Sequence, residues 1–227
     1  MRVDPSLTTY SSVRTEVSPE VWLDSRLALW LAAERILVIA DLHWGYAASH
    51  RARGNLLPCW GDDEIESRLD QLVRDYDPAE MIWLGDVVHA AEGGTRAESY
   101  LRRTRLRITP LAGNHDRRWR YSGEKTASRG HYFFHHGDAK HVIPSDSIEV
   151  IGHHHPAVSW GDGAGSRVKL PALVTSRVRF VLPAFSPWAA GTPWSANTER
   201  DETVWAVSPG RIFALPRAQP LARLTVT

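Results

Sequence analysis

Cysteine is nearly absent: Cys59 is the one thiol in 227 residues, so the chain can form no internal disulfide. A protein of this length can rest on an apolar core alone, and a reducing compartment is its natural setting. Cys59 sits between Pro58 and Trp60 with no motif around it and reads as an inert thiol. Long apolar runs are missing too. Nothing approaches the about 18 residues that cross a bilayer, and the opening "MRVDPSLTTYSSVRTEV" has no apolar stretch of the kind that directs secretion. A soluble, cytoplasmic protein is expected. Charge of one sign is also lacking: 27 Lys and Arg stand against 26 Asp and Glu, a net +1. That balance gives no global electrostatic case for nucleic acid, although arginines cluster locally.

What is present is alternation. "EVWLD" and "LALWLA" read as a hairpin around Ser25, and "RILVIA" as a fully buried strand. In "DDEIESRLDQLVRDYDP", Ile65, Leu69, Leu72, Val73 and Tyr76 recur at helical spacing, with Asp62 or Asp63 at the start and Pro78 at the end. "EMIWLG" is a second buried strand, "AESYLRRTR" a short helix, and "LRITPLA" a third strand whose Pro110 suggests a bend or an edge. This order implies right-handed crossovers and a parallel core. The second half, with "HYFFHH", "IEVIGH", "RVKLPALVT", "VRFVLPAF", "ETVWAVS" and "RIFALP", supplies short strands for a mixed or second sheet. One domain over residues 1–227 is expected, of the α/β class with mixed strand directions (α+β). Residues 186–201 read as a connecting loop, with a lid as the alternative. The ten Trp read as core or interface packing.

The chemistry sits at strand ends. "ILVIA" ends at Asp41, with His43 two residues on; "MIWLG" ends at Asp86, "ITPLAG" at Asn114 and His115, "YFFH" at His136, and "IEVIG" at His153 and His155. In open α/β sheets ligands bind in the crevice beyond the carboxyl ends of the strands, so these side chains are expected to converge. Residues two apart on an extended chain share a face, which pairs Asp41 with His43 and His153 with His155, and turns His135 and His154 away. Asp, Asn and His without Cys suit Mn, Fe, Zn, Co or Ni, and are too rich in nitrogen for a Mg or Ca cage. Two such ions about 3.5 to 4 Å apart can activate a bridging water and hold both non-ester oxygens of a phosphate. A single strand-end Asp is usually a cap, and a single buried His a core residue. A whole series at consecutive strand ends is not explained that way.

These blocks, in this order, resemble the calcineurin-like metallophosphoesterases: "DLH" at 41–43, "GDVVH" at 85–89, "GNHD" at 113–116, "HG" at 136–137 and "GHHHP" at 152–156. The resemblance implies a four-layer sandwich of two mixed sheets flanked by helices, and two divalent cations, with manganese the first choice. Asp41, His43 and His155 would hold one ion, Asn114, His136 and His153 the other, and Asp86 would bridge them around an attacking hydroxide. His115 would be the catalytic His that meets the leaving oxygen, and Asp116 would orient it. Within the family, "DLHWGYAASHRARGNLLP", "GDVVHA", "GNHDRR", "GHHHPA" and "LPAFSPWAAG" are similar to the bacterial DNA ligase-associated (PdeM-like) phosphoesterases of DNA repair. That likeness implies DNA or RNA as substrate, and a DNA ligase and a helicase as partners. His89, where many relatives carry Asp, reads as a residue that supports the ligands from behind, with direct ligation as the alternative. Tyr46 departs from the Lys or other polar residue usual in this group.

Arg51 and Arg53 follow the first block, and Arg117, Arg118 and Arg120, with Trp119 interleaved, follow "GNHD". Cations at the rim of a phosphate cleft can hold a polyanion, and an aromatic can stack on a base. Arg53, Arg117 and Arg118 are therefore candidate substrate contacts, whereas Arg102, Arg103, Arg105 and Arg107 read as a solvated face. Three functions are consistent with these residues. The first is a phosphodiesterase or nuclease, endo- or exonucleolytic, on DNA or RNA. The second is a hydrolase of small diesters or pyrophosphates, such as cyclic nucleotides or UDP-diacylglucosamine. The third is a scaffold without catalysis, which the intact "GNHD" disfavours.

Overall fold

The computed structural model describes residues 12–121, 123–161, 166–189, 191–195 and 201–216, without the side chain of Arg118. Four strands form an antiparallel meander: β1 (Arg14–Ser18), β2 (Val21–Asp24), β3 (Ala28–Leu31) and β4 (Ile36–Ile39). β5 (Glu80–Trp83) and β6 (Arg107–Pro110) then add in parallel, giving a six-stranded sheet in simple sequential order. Parallel neighbours need crossovers, and helices supply them. α1 (Tyr46–Ala52) and α2 (Gly61–Tyr76) lie between β4 and β5, and α3 (Ala91–Arg103) lies between β5 and β6. β6, with Pro110 as its last residue, is the edge strand, where a missing N–H does no harm.

α2 follows its sequence pattern closely. Ile65, Leu69 and Leu72 form its buried stripe, and Asp62, Asp63 and Glu64 place negative charge in the first turn, where the helix dipole favours it. It stops at Tyr76 because Asp77 turns left-handed (φ 41°) and Pro78 cannot continue the helix. α3 starts at Ala91, ahead of the expected Ala97, because Gly93 and Gly94 hide a helix that packing nevertheless enforces. α1 falls inside what the sequence presented as loop: seven residues carry too little periodicity to be seen.

The second sheet has nine strands. Its main path runs β13 (Thr192–Pro193), β10 (Pro156–Gly161), β11 (Arg167–Thr175), β12 (Arg179–Val181), β9 (Ile148–Ile151), β8 (Tyr132–His135) and β7 (Thr126–Arg129). β14 (Thr203–Ser208) pairs with β11 and carries β15 (Arg211–Ala214). β11 exchanges one neighbour for another at Pro171: residues up to Pro171 pair with β10, and Ala172 onwards pair with β14. A residue without an N–H is tolerated where one ladder ends and the next begins. β13 shows that part of the 186–201 stretch is paired to the sheet; residues 190 and 196–200 lie outside the described set.

Leu23, Leu31, Val38 and Ile82 of the first sheet meet Phe134, Val150, Leu173 and Phe180 of the second in one apolar layer. The other face of the first sheet, through Leu37, Ile39, Met81 and Trp83, packs on Ile65, Leu69 and Leu72 of α2 and on Ala97 and Tyr100 of α3. This is the mixed two-sheet α/β sandwich expected. α2 and α3 are the helices that cover that face of the first sheet. The sheets meet where Ala40 bridges Ala184 in parallel, directly before Asp41. No described helix is long and apolar enough to cross a membrane.

Candidate metal centre

β4, β5 and β9 each stop just short of a polar residue whose backbone turns left-handed. Asp41 (φ 57°), His43 (φ 49°), Asp86 (φ 48°), His153 (φ 65°) and His155 (φ 46°) all occupy this region. Non-glycine residues seldom do so, at a cost of about 1 to 3 kcal/mol each, and such strain gathers at functional sites. It also corrects the sequence argument. Asp41 with His43, and His153 with His155, converge through left-handed turns beyond β4 and β9, not through the alternation of a pleated strand.

Candidate donor atoms form three groups, each with all atoms within 4.8 Å of one another: Asp41, His43 and His155; Asp86, His136 and His153; and, sharing His43 with the first and carrying no carboxylate, His43, His89 and His115. Asp86 stands between the first two, its Oδ2 lying 3.3 Å from His136 Nε2 and 3.9 Å from His43 Nε2. Asn114 Oδ1 is 3.1 Å from His136 Nε2, and His153 Nδ1 is also 3.1 Å from it. His136 Nδ1 donates to Leu84 O at 2.7 Å, which fixes the ring and leaves Nε2 facing this cluster. All seven sequence-chosen ligand candidates are thus brought together.

Close backbone approach makes this possible. A Cβ on Gly113 would lie 2.3 Å from Asp86 Oδ1, and one on Gly152 would lie 2.7 Å from Asp41 Oδ2. The glycines flanking the Asn and His blocks are therefore required by the carboxylates opposite. Those carboxylates also hold the loops: His115 N–H donates to Asp86 Oδ1 (2.8 Å) and His153 N–H to Asp41 Oδ2 (3.0 Å).

The site's electrostatics favour a cation. Burial pushes the Asp86 carboxyl up, but His136, the His115 N–H and His43 outweigh it and hold it at about 2. Burial likewise opposes charge on His136, yet Asp86 and Asp41 raise it to about 9. His43, where burial dominates, is lowered to about 4 and is neutral at pH 7, the form that ligates metal.

His115 is exposed at the mouth, its ring stacked on His89 at 5.0 Å and edge-on to His43 at 5.2 Å. His89 Nδ1 lies 3.3 Å from His43 Nδ1, so it backs the first group directly. Sequence reasoning missed the company His89 keeps: Tyr46 packs on it at 4.5 Å and on His50 at 4.3 Å. The departure at Tyr46 was the available signal. Asp116 is fully buried, and its two oxygens accept the N–H groups of Val88 (3.0 Å) and Gly113 (2.9 Å). The expected contact of its carboxylate with the His115 ring is not found among the described residues. Asp116 instead joins the loops that carry Asp86 and Asn114, because a buried carboxylate takes the nearest N–H donors.

Arg68, a charged residue buried on the apolar face of α2, was a second missed signal. It lies over the Phe185 ring (4.2 Å) and hydrogen-bonds Phe185 O, while Phe185 N–H donates to Ala40 O and Ser186 N–H to Asp41 O. The "LPAF" segment thus pins the backbone under Asp41. His135 turns away and pairs with Glu149 at 2.9 Å, and His154 is exposed near Trp194. Arg117 lines a cavity of about 560 Å³ together with His89, Asn114, His115 and Trp119. Arg120 pairs with Glu98, and Arg102, Arg103 and Arg107 also have carboxylate partners; no ion pair among the described residues engages Arg51, Arg53 or Arg117. The Arg118 side chain lies outside the described set.

A family model, calcineurin-like phosphoesterase, matches residues 34–180. The chain belongs to that family. This phosphoesterase is a metal-dependent phosphoric ester hydrolase. Among solved structures it is similar to the Pseudomonas putida nuclease MPE, at 22% identity and TM-score 0.65, over 90% of this chain and 100% of that one. It also matches Yfce, a phosphoesterase from E. coli, at 15% identity and TM-score 0.42, over 80% of this chain and 99% of that one. No curated protein matches the sequence. The family's divalent metals fit the residues present. Asp41 Oδ1 and His155 Nε2 are both buried without a hydrogen-bond partner, yet lie 3.2 Å apart, as two donors awaiting a shared cation would.

Proposed function

We propose that this phosphoesterase is a phosphodiesterase that uses two divalent cations and acts on DNA or RNA, in repair. The carrying observation is the pair of carboxylate-bearing donor groups side by side, with Asp86 Oδ2 facing both and the orphaned Asp41 Oδ1 and His155 Nε2 facing each other. Asp41, His43 and His155 hold one ion in this reading, and Asn114, His136 and His153 the other, with Asp86 between. Bound cations supply positive charge to the phosphate oxygens and lower the pKa of water. Manganese is the first choice; Fe, Zn, Co and Ni suit the same donors.

The chain's own groups do the rest. His115, exposed and with its N–H tied to Asp86, meets the leaving oxygen and gives it a proton. His89 sets the His43 ring from behind and stacks on His115, so one imidazole orders both. Arg117 and Arg53 have no carboxylate partner among the described residues and stand ready for a polyanion, with Arg118 following in sequence. The nuclease relative is in keeping with a polynucleotide substrate, and the "LPAFSPWAAG" likeness with a role beside a DNA ligase and a helicase.

A second reading, hydrolysis of small diesters or pyrophosphates, is favoured by one feature: the 560 Å³ cavity at His115 has the dimensions of a small-molecule site. Metal analysis of protein purified without added metal, with oligonucleotide and small-diester activity panels, tests both. Two ions per chain and oligonucleotide cleavage are expected. Turnover of small diesters alone selects the second reading, and no diester hydrolysis with any of the five metals overturns both.

A further inference from the structure

Two tryptophans sit beside the site without a role in it. Trp60 is 50% exposed, and its ring lies 4.9 Å from that of Trp188. Both are tied to the segment carrying Asp41 and His43. On one side Ser186 N–H donates to Asp41 O, and Trp188 N–H to Ser186 Oγ. On the other, Asp62, two residues beyond Trp60, accepts the Gly45 N–H at 3.1 Å. The Trp188 indole occupies the space a side chain at residue 61 would need, which is why the pair can close over Gly61.

The approach to this pair is built and charged. The loop from Arg53 to Trp60 is held by Asn55 N–H to His50 O (3.0 Å), by Asn55 Nδ2 against His50 Nδ1 (3.2 Å) and by Arg51 donating to Leu57 O (3.1 Å). Arg51 and Arg53 are exposed and have no carboxylate partner among the described residues. The neighbouring acids are already engaged: Asp62 by Gly45, Asp63 by Arg96 at 2.5 Å and Glu64 by Arg68 at 3.4 Å. The local balance is thus free positive charge beside an exposed aromatic face. That pairing fits a strand of unpaired nucleotides, whose phosphates meet cations while bases stack. Leu56, 91% exposed, would suit a protein partner, whereas two arginines without carboxylate partners beside a ring match the repeating phosphate and base of a polynucleotide.

We propose that Trp60 and Trp188, with Arg51 and Arg53, form a base-stacking rim that holds single-stranded nucleic acid at the entrance to the metal centre. This rests on the phosphodiesterase reading and names the substrate's form. Trp60 is the residue to change, since Trp188 packs into the fold. Binding of a labelled oligothymidylate of about 12 nucleotides is expected to weaken roughly tenfold in Trp60→Ala and to recover in Trp60→Phe, which keeps a ring. The ratio of kcat/KM for the oligonucleotide to that for bis-p-nitrophenyl phosphate should fall by a similar factor. Unchanged affinity and ratio in Trp60→Ala overturn the rim. So does self-association of the wild type that Trp60→Ala abolishes, which makes the patch a protein contact. If the wild type hydrolyses no diester while Trp60→Ala still weakens binding, the phosphodiesterase reading falls and the rim stands as a binding site.

Discussion

Replacing Asp116 by Ala separates a structural from a chemical role. The carboxylate is fully buried and accepts the N–H groups of Val88 and Gly113, at 3.0 and 2.9 Å. Truncation leaves two buried donors without partners, each costing about 1 to 3 kcal/mol, hence about 2 to 6 kcal/mol together. Against a usual total of about 5 to 15 kcal/mol this is severe. Asp116→Asn keeps one acceptor oxygen and turns an NH₂ towards the other donor, so roughly half the loss is expected. Urea unfolding should show midpoints falling in the order wild type, Asn, Ala, with an unchanged slope. Activity should fall with the folded fraction and return in conditions that restore it. If Asp116→Ala unfolds at the wild-type midpoint but turns over poorly, the carboxylate acts on His115 after all and the reasoning from its hydrogen bonds is refuted.

Asp86→Asn keeps the shape but removes the charge between the two carboxylate-bearing donor groups, so metal content measured by mass spectrometry should drop for both ions; two full equivalents would contradict the bridging position. His115→Ala is expected to abolish turnover of bis-p-nitrophenyl phosphate with both metals retained, because neither group that contains a carboxylate includes it; loss of a metal would place His115, through its group with His43 and His89, among the ligands. Glu80 gives a pH prediction remote from the metals. Burial raises its carboxyl, but hydrogen bonds from Arg129 and Thr109 and the charge of Arg107 more than offset this and hold it below its ordinary value. A lowered carboxyl stabilises the fold above the unfolded-state value of about 4.3 and loses that contribution as pH falls through the folded one. Glu80→Gln should therefore be less stable than wild type at pH 7, with the gap closing as the pH falls below about 4. A gap that stays constant from pH 7 to pH 3 would rule out this linkage.

Much of the site was legible because its residues are ordered along the chain as strand ends are ordered in the sheet. The runs before Asp41, Asp86 and His136 are apolar and β-prone, and each breaks at a residue that could not stay buried unpaired. α2 was legible for a similar reason: its buried face repeats at 3.6 residues. α1 was not, and neither was the early start of α3 across Gly93 and Gly94, since packing there overrides weak local preference. Asp116 misled because adjacency to His115 in sequence says nothing about which donors its carboxylate will find once buried.

The residue types alone determined the chemistry: oxygen and imidazole donors with no thiolate among them admit a small set of metals, whatever the fold. Tertiary structure alone decided how those donors meet. Left-handed turns at Asp41, His43, Asp86, His153 and His155 aim them inward, glycines at 113 and 152 let the carboxylates approach, and Trp60 finds Trp188 from 128 positions away (188 minus 60). Such encounters depend on where distant backbone segments pack, and no local pattern carries that information.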